Sequence, residues 1–364
     1  MELINATRMT AGYNVGLEPS GRELLVVVIK GTFAIPQSEG EPFALADSQL
    51  PLVMADVFTG EPGLSAPLYE VDFAPRKPRC EILFNGSAYA PGGRPATRVE
   101  VAIQVANWSK RLAVIGPRQW DCALATVQAT SPRPFVSQPI SYDVAFGGSD
   151  RQHEDPAQHA AYMPNPVGRG FHKHLKKAWV DGKPLPFTEE LGRSVTDTDG
   201  GYRPMAFGSV GRNWEPRFRF AGTYDAEWLE HHFPFLPPDF DARYFQAAPA
   251  DQQVPLGLLG GGVDVVLTNL TPQGLTRFRI PSLRAPVSIF PKDGPRENHV
   301  ATLDTVLIEP DQQRFSLTWR VARPLRFNMF EIARVQVGKK GREFWQRGEE
   351  IAFSVPVGPA ALGA

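Results

Sequence analysis

The sequence predicts a mainly β protein: sandwich-like antiparallel sheets with a loop-rich middle and very few short helices. Three observations carry this. Short apolar segments, β-branched or alternating with polar residues, recur along most of the chain. Glycine and proline, 33 and 35 of 364 residues, separate those segments as turns would. Helical periodicity is scarce, so the crossover helices of a parallel α/β fold have no place in the chain. Strand residues should outnumber helical ones by at least about two to one.

Taken in order, residues 23–30 form a Val-rich run that is apolar on both faces, the mark of an internal strand. Residues 98–105 alternate, with Val99, Val101, Ile103 and Val105 on one face. Residues 314–321 alternate as cleanly: Phe315, Leu317, Trp319 and Val321 point one way, and Arg314, Ser316, Thr318 and Arg320 the other. Trp319 and Phe315 are therefore expected in the main core. Further strands are predicted at 81–85, 111–115, 264–269, 276–280, 304–309, 330–337 and 351–357. The best helix signal is 225–232, where Asp225 caps the first turn, Glu227 suits the positive helix end and Pro234 follows as a stop. Residues 156–162 are a second candidate turn.

The organisation this implies is an N-terminal β region (1–148), a loop-rich lobe or insertion rich in His and aromatics (149–241), a C-terminal β region (242–357) and a frayed tail (358–364).

Composition bounds the function. A net charge of −1 offers no basic excess for nucleic acid or for an anionic membrane surface. Residues 1–7 lack the cationic and apolar blocks of a leader, and the longest apolar run, 24–29, is too short to span a bilayer. Two cysteines, Cys80 and Cys122, fit a reducing cytoplasm and read as buried free thiols, with a single bridge as the alternative.

Candidate catalytic and metal motifs are incomplete. His172 and His174 would share a strand face, but a metal would need further ligands from His153 or His159, and no zinc-type spacing is present. Residues 197–201 lack the rest of a calcium loop and read as a polar turn. The glycines at 146–148 and 257–262 lack the Lys-Ser/Thr ending of a phosphate loop, and tight turns or bulges suffice. Gly208-Ser209-Val210-Gly211 is one residue short of a nucleophile elbow. The expectation is a protein that is not an enzyme and needs neither metal nor cofactor.

The densest unusual segment runs from Gly208 through Trp228. Arg212, Trp214, Arg217, Arg219, Tyr224 and Trp228 are residue types enriched at interface hot spots, because each joins a large surface to a polar or planar handle. The competing reading is an internal cluster with arginines stacked on aromatics.

Several short motifs together resemble a bacterial family of domains encoded beside type VI secretion spike proteins. They include Asn5-Ala6-Thr7, the Val-rich run ending Lys30-Gly31-Thr32-Phe33, Asp72 to Pro78, Gly86 to Pro91 and Val114 to Trp120. Next come Ala145 to Gly148, Asn165 to Gly170, Trp214 to Arg217, Gly222 to Asp225, Ala248 to Gln252 and Leu303 to Val306 before Trp319-Arg320. The matches cover about residues 2–321, one continuous family domain. One departure is Cys80 in Lys77-Pro78-Arg79-Cys80, where the pattern carries Asp. The resemblance implies a cytoplasmic, non-enzymatic adaptor or chaperone. It would bind a type VI effector or its PAAR-type spike tip and assist loading onto the spike. The alternatives are a β-rich hydrolase with a site in 149–241 and a structural component of the secreted particle.

Overall fold

A computed structural model describes residues 1–36, 41, 43–123, 126–215, 217–259 and 262–339. The predicted strand at 351–357 and the tail at 358–364 lie outside the described residues. Strand makes up 39% and helix 11%, well past the two-to-one ratio expected.

Fourteen strands build the two main sheets. They are β1 (Glu2–Asn5), β2 (Thr10–Leu17), β3 (Glu23–Ala34), β4 (Cys80–Phe84), β5 (Arg98–Val105), β6 (Trp108–Ile115) and β7 (Thr188–Glu189). The remainder are β8 (Gln253–Val254), β9 (Asp264–Thr268), β10 (Leu275–Arg279), β11 (Ala285–Pro291), β12 (Glu297–Glu309), β13 (Arg314–Pro324) and β14 (Ile332–Val337). The larger sheet runs β1-β14-β11-β12-β13-β3-β2, with β4 pairing β12 and β8 pairing β4. Its two end strands meet, since the Tyr13 hydroxyl donates to the Met1 carbonyl at 3.3 Å, so the sheet nearly closes into a barrel. Most pairings are antiparallel, but β1–β14 and β12–β4 are parallel. The second sheet runs β7-β6-β5-β9-β10.

One core joins the two sheets. Val99, Val101, Ile103 and Val105 are buried as their alternation predicts, and they share a cluster with Leu25, Val27, Ile29 and Phe33 of β3. Phe315, at 0% exposure, stacks between Phe33 (5.2 Å) and Phe278 of β10 (5.0 Å), and Trp319 is buried beside them. Strand β3 lies between β13 and β2, and its second apolar row, Leu24, Val26 and Val28, is roofed by Leu52 and Phe73.

Ser316, Thr318 and Arg320 of the polar row of β13 are buried too, and Arg314 is half-buried. Arg320 pairs with Asp304, and its Nη2 donates to the Asp72 carbonyl at 2.6 Å. The Asp72 carboxylate in turn takes Lys30 at 2.6 Å and the Val53 amide at 2.7 Å. Burial pushes the Asp304 carboxyl up, and Arg320 opposes that rise. Arg320 and Asp304, and Lys30 and Asp72, thus pair as opposites, which is the condition for keeping charge away from water.

A smaller core organises the middle of the chain around Trp120, Phe146, Phe171, Leu185 and Tyr202. Asn165 ties it together, donating from Nδ2 to the carbonyls of Tyr142 (2.8 Å) and Phe146 (3.0 Å). Gly147 has φ +148°, and a Cβ there would sit 2.1 Å from the Asn165 carbonyl oxygen. The Ala145–Gly148 and Asn165–Gly170 motifs are thus two halves of one structural knot, and no phosphate loop is formed there. Among the described residues, no helix is long and apolar enough to cross a membrane.

Candidate functional site

The segment singled out by composition divides in two. Its first half is internal. Trp214 is 3% exposed and meets Tyr142 edge-on at 5.6 Å within the main core. Arg217, equally buried, places Nη1 2.5 Å from Glu70 and 2.7 Å from the Val210 carbonyl, while Nε donates to the Tyr244 carbonyl at 2.9 Å. Arg212 forks onto Asp56 at 2.8 and 3.2 Å and reaches Glu70 at 3.4 Å. Burial alone would raise the Asp56 carboxyl, but the hydrogen bonds from Arg212 and the Val71 amide outweigh it and hold it below the usual range. Arg212, Trp214 and Arg217 therefore shape the lobe and offer little surface to a partner.

The second half faces out. Arg219 is exposed, with its guanidinium 5.4 Å from the Phe220 ring. Beyond it the chain makes an excursion that returns on itself. Asp241 N–H donates to the Phe220 carbonyl at 3.0 Å, and Asp239 accepts from the Thr223 amide (2.9 Å) and hydroxyl (2.8 Å). Those two bonds hold the Asp239 carboxyl below its ordinary value. A loop whose ends meet and whose own side chains pack it is an Ω-type loop. Gly222 at its neck has φ +83°, with Asp239 and Pro237 crowding the place of a Cβ.

Within this loop lies the predicted helix, α1 (Ala226–His231). Asp225 caps it as expected, accepting from the Trp228 amide at 2.9 Å. The helix carries Trp228 between Tyr224 (4.7 Å) and Phe233 (5.7 Å), both edge-on, and the indole N–H donates to the Phe235 carbonyl at 2.9 Å. Phe235 in turn sits on Gly21, where a Cβ would come within 2.7 Å of its ring. The loop is thereby seated on the turn between β2 and β3. Tyr224, Leu229, Phe233 and Phe235 are 54%, 63%, 62% and 45% exposed, and Phe218 flanks them at 44%. Composition drew attention to Tyr224 and Trp228 but missed Phe218, Leu229, Phe233 and Phe235. The signal for the last two was aromatic residues set among Pro234, Pro237 and Pro238, in a stretch without strand alternation.

The other motifs resolve into structure. His174 Nε2 lies 2.9 Å from the Gln158 carbonyl, and the His153 and His174 rings are 5.4 Å apart. Burial lowers the His172 imidazole. Among the described residues no three His, Cys, Asp or Glu side chains group as metal ligands would. Asp197 accepts from the Tyr202 hydroxyl (2.7 Å) and the Asp199 amide (3.2 Å), closing a polar turn. Ser209 is buried. Cys80 and Cys122 are both free and buried, and burial pushes the Cys80 thiol well up.

Residues 20–320 match a family described as an uncharacterized protein conserved in bacteria, DUF2169. The chain belongs to this family. The match takes in β3 through most of β13, and with them the second sheet, the middle core and the aromatic loop; β1, β2 and β14 of the larger sheet lie outside it. No curated protein and no solved structure matches the chain.

Proposed function

We propose that this protein is a non-enzymatic adaptor. In this reading it binds a type VI secretion effector or its PAAR-type spike tip in the cytoplasm and assists loading onto the spike. The observation that carries the binding part is the aromatic loop at 222–239. Four large apolar side chains lie more than two-fifths exposed on a loop that its own hydrogen bonds hold in shape. Exposed apolar surface of this kind marks interaction sites. Aromatics held on a rigid base also bind at low entropic cost, because few rotamers remain to be frozen. The partner class is supported by the motif resemblance across residues 2–321.

The mechanism is stoichiometric recognition. Tyr224, Trp228 and Phe233 supply the apolar anchor, Arg219 a planar charged group at its margin, and Arg212, Trp214 and Arg217 hold the lobe beneath. The test is co-expression with the spike-tip protein encoded beside this chain, followed by affinity purification under stringent washing. A stoichiometric complex that is lost with Trp228→Ala is the expected result. Absence of any spike-associated partner from the parent complex would overturn the adaptor reading.

A further inference from the structure

The second sheet ends in an unpaired edge. Among the described residues strand β10 pairs only with β9, and the bonding pattern tells which of its backbone groups point outward. Asn269 N–H bonds the Gly274 carbonyl and Ile280 N–H the Val263 carbonyl, so both pairs are of the hydrogen-bonded type. Antiparallel ladders alternate. Thr276 and Phe278 therefore bond β9, while the N–H and C=O groups of Leu275, Arg277 and Arg279 face away from the sheet. Among the described residues none of these three has a backbone partner on that side. The edge opens onto a groove of about 350 Å³. Leu275, Thr276 and Arg277 line one part of it, and Ile35, Pro36 and the Pro310–Gln313 turn line another, with the Asp311 carboxylate of that turn taken by the Tyr89 hydroxyl at 2.8 Å; no residue of β9 contributes.

Charge decides what fits there. Arg279 lies opposite Asp264, 3.6 Å away. Arg277 lies opposite Val266, and among the described residues its guanidinium has no acidic partner. A second copy is a poor occupant. Twofold registers centred at 277, 278 or 279 each set arginine against arginine, and like charges placed opposite one another are destabilising.

We propose that the β10 edge is a docking site for an extended, acidic segment of a partner protein. That segment adds as a further antiparallel strand and sets a carboxylate opposite Arg277. Main-chain bonds to Leu275, Arg277 and Arg279 give the affinity, and the arginine row selects the sequence. This surface is separate from the aromatic loop, which is seated on the other sheet, and it does not depend on the partner being a secretion component.

The probe is a capped octapeptide alternating Val or Thr with Glu, and its counterpart with Lys in place of Glu. Amide hydrogen exchange on the full chain should show fast exchange at Leu275, Arg277 and Arg279. Protection should appear there on adding the acidic peptide. Fluorescence anisotropy should show Arg277→Glu weakening the acidic peptide about tenfold and favouring the Lys peptide. Arg277→Pro removes an outward N–H together with the guanidinium, a backbone change edge strands tolerate, so it should abolish the binding that Arg277→Glu only weakens, without lowering the melting temperature. Three results overturn the proposal. Amides already protected in the isolated chain mean that its own C-terminal residues or a second copy cover the edge. Equal binding by Arg277→Pro means that no strand is added. Failure of the acidic peptide to protect these amides means that the arginines merely guard an edge against aggregation.

Discussion

Arg217 and Arg219 stand two residues apart and should behave in opposite ways. Arg217→Ala removes a guanidinium that is 3% exposed, paired with a Glu70 that is 7% exposed, and bonded to two main-chain carbonyls. Among the described residues the change leaves the Glu70 carboxylate with Arg212 at 3.4 Å as its one cation, and the Val210 and Tyr244 carbonyls short of a donor. Breaking a buried pair from one side costs about 3–5 kcal/mol, a large share of the roughly 5–15 kcal/mol that holds a domain folded. Arg219→Ala removes an exposed side chain resting on Phe220 and should stay within about 0.5 kcal/mol of the parent. Urea unfolding followed by tryptophan fluorescence reads both. Equal midpoints for the two variants would refute the division of this segment into an internal and an external half. So would loss of partner binding in a fully stable Arg217→Ala.

Two further outcomes follow from the core. Trp319→Ala, at a side chain 2% exposed, should cost about 3–5 kcal/mol by urea titration; a parent-like midpoint would place the indole at the surface. Lys110 is buried against Asp251 and Gln252, and burial lowers its ammonium to about 8 despite the Asp251 charge. Below that value folded and unfolded chains are both protonated. Between about 8 and the ordinary 10.5 only the unfolded chain holds the proton, so Lys110 adds stability as the pH rises through that window. Parent minus Lys110→Met stability should climb from pH 8 to pH 10, and a flat or falling difference would contradict the burial argument.

What was legible followed from period-two patterning and local chemistry. Strand β5 and the apolar face of β13 were readable because one side chain in two is buried, whatever the partner strand. The Asp225 cap was readable because the amide that donates to it lies three residues away. Strand β2 was missed because Gly12 and Gly16 weaken its pattern; they are there because Leu52 and Pro75 ride directly on the strand. Strand β11 was missed because it carries Pro286 and Pro291, which count against an inner strand. The burial of Arg320 depends on Asp304 and Asp72, which lie 16 and 248 residues away in the chain. The same holds for the candidate site. Trp and Arg are common to cores and to interfaces, and only Asp56, Glu70 and Tyr142, far upstream, decide that Arg212, Trp214 and Arg217 turn inward while Tyr224 and Trp228 remain at the surface.

The central claim is that the exposed aromatic loop is where this protein meets its partner. Isothermal titration of the purified chain with the type VI effector or spike-tip protein that the proposed function calls for tests that claim most directly, with Trp228→Ala and Tyr224→Ala titrated alongside. A hot-spot aromatic is worth about 2 kcal/mol or more, so each variant should bind about thirtyfold more weakly while melting with the parent. Parent-like affinity in both variants, with the parent binding well, would contradict the claim and move the interface elsewhere on the molecule.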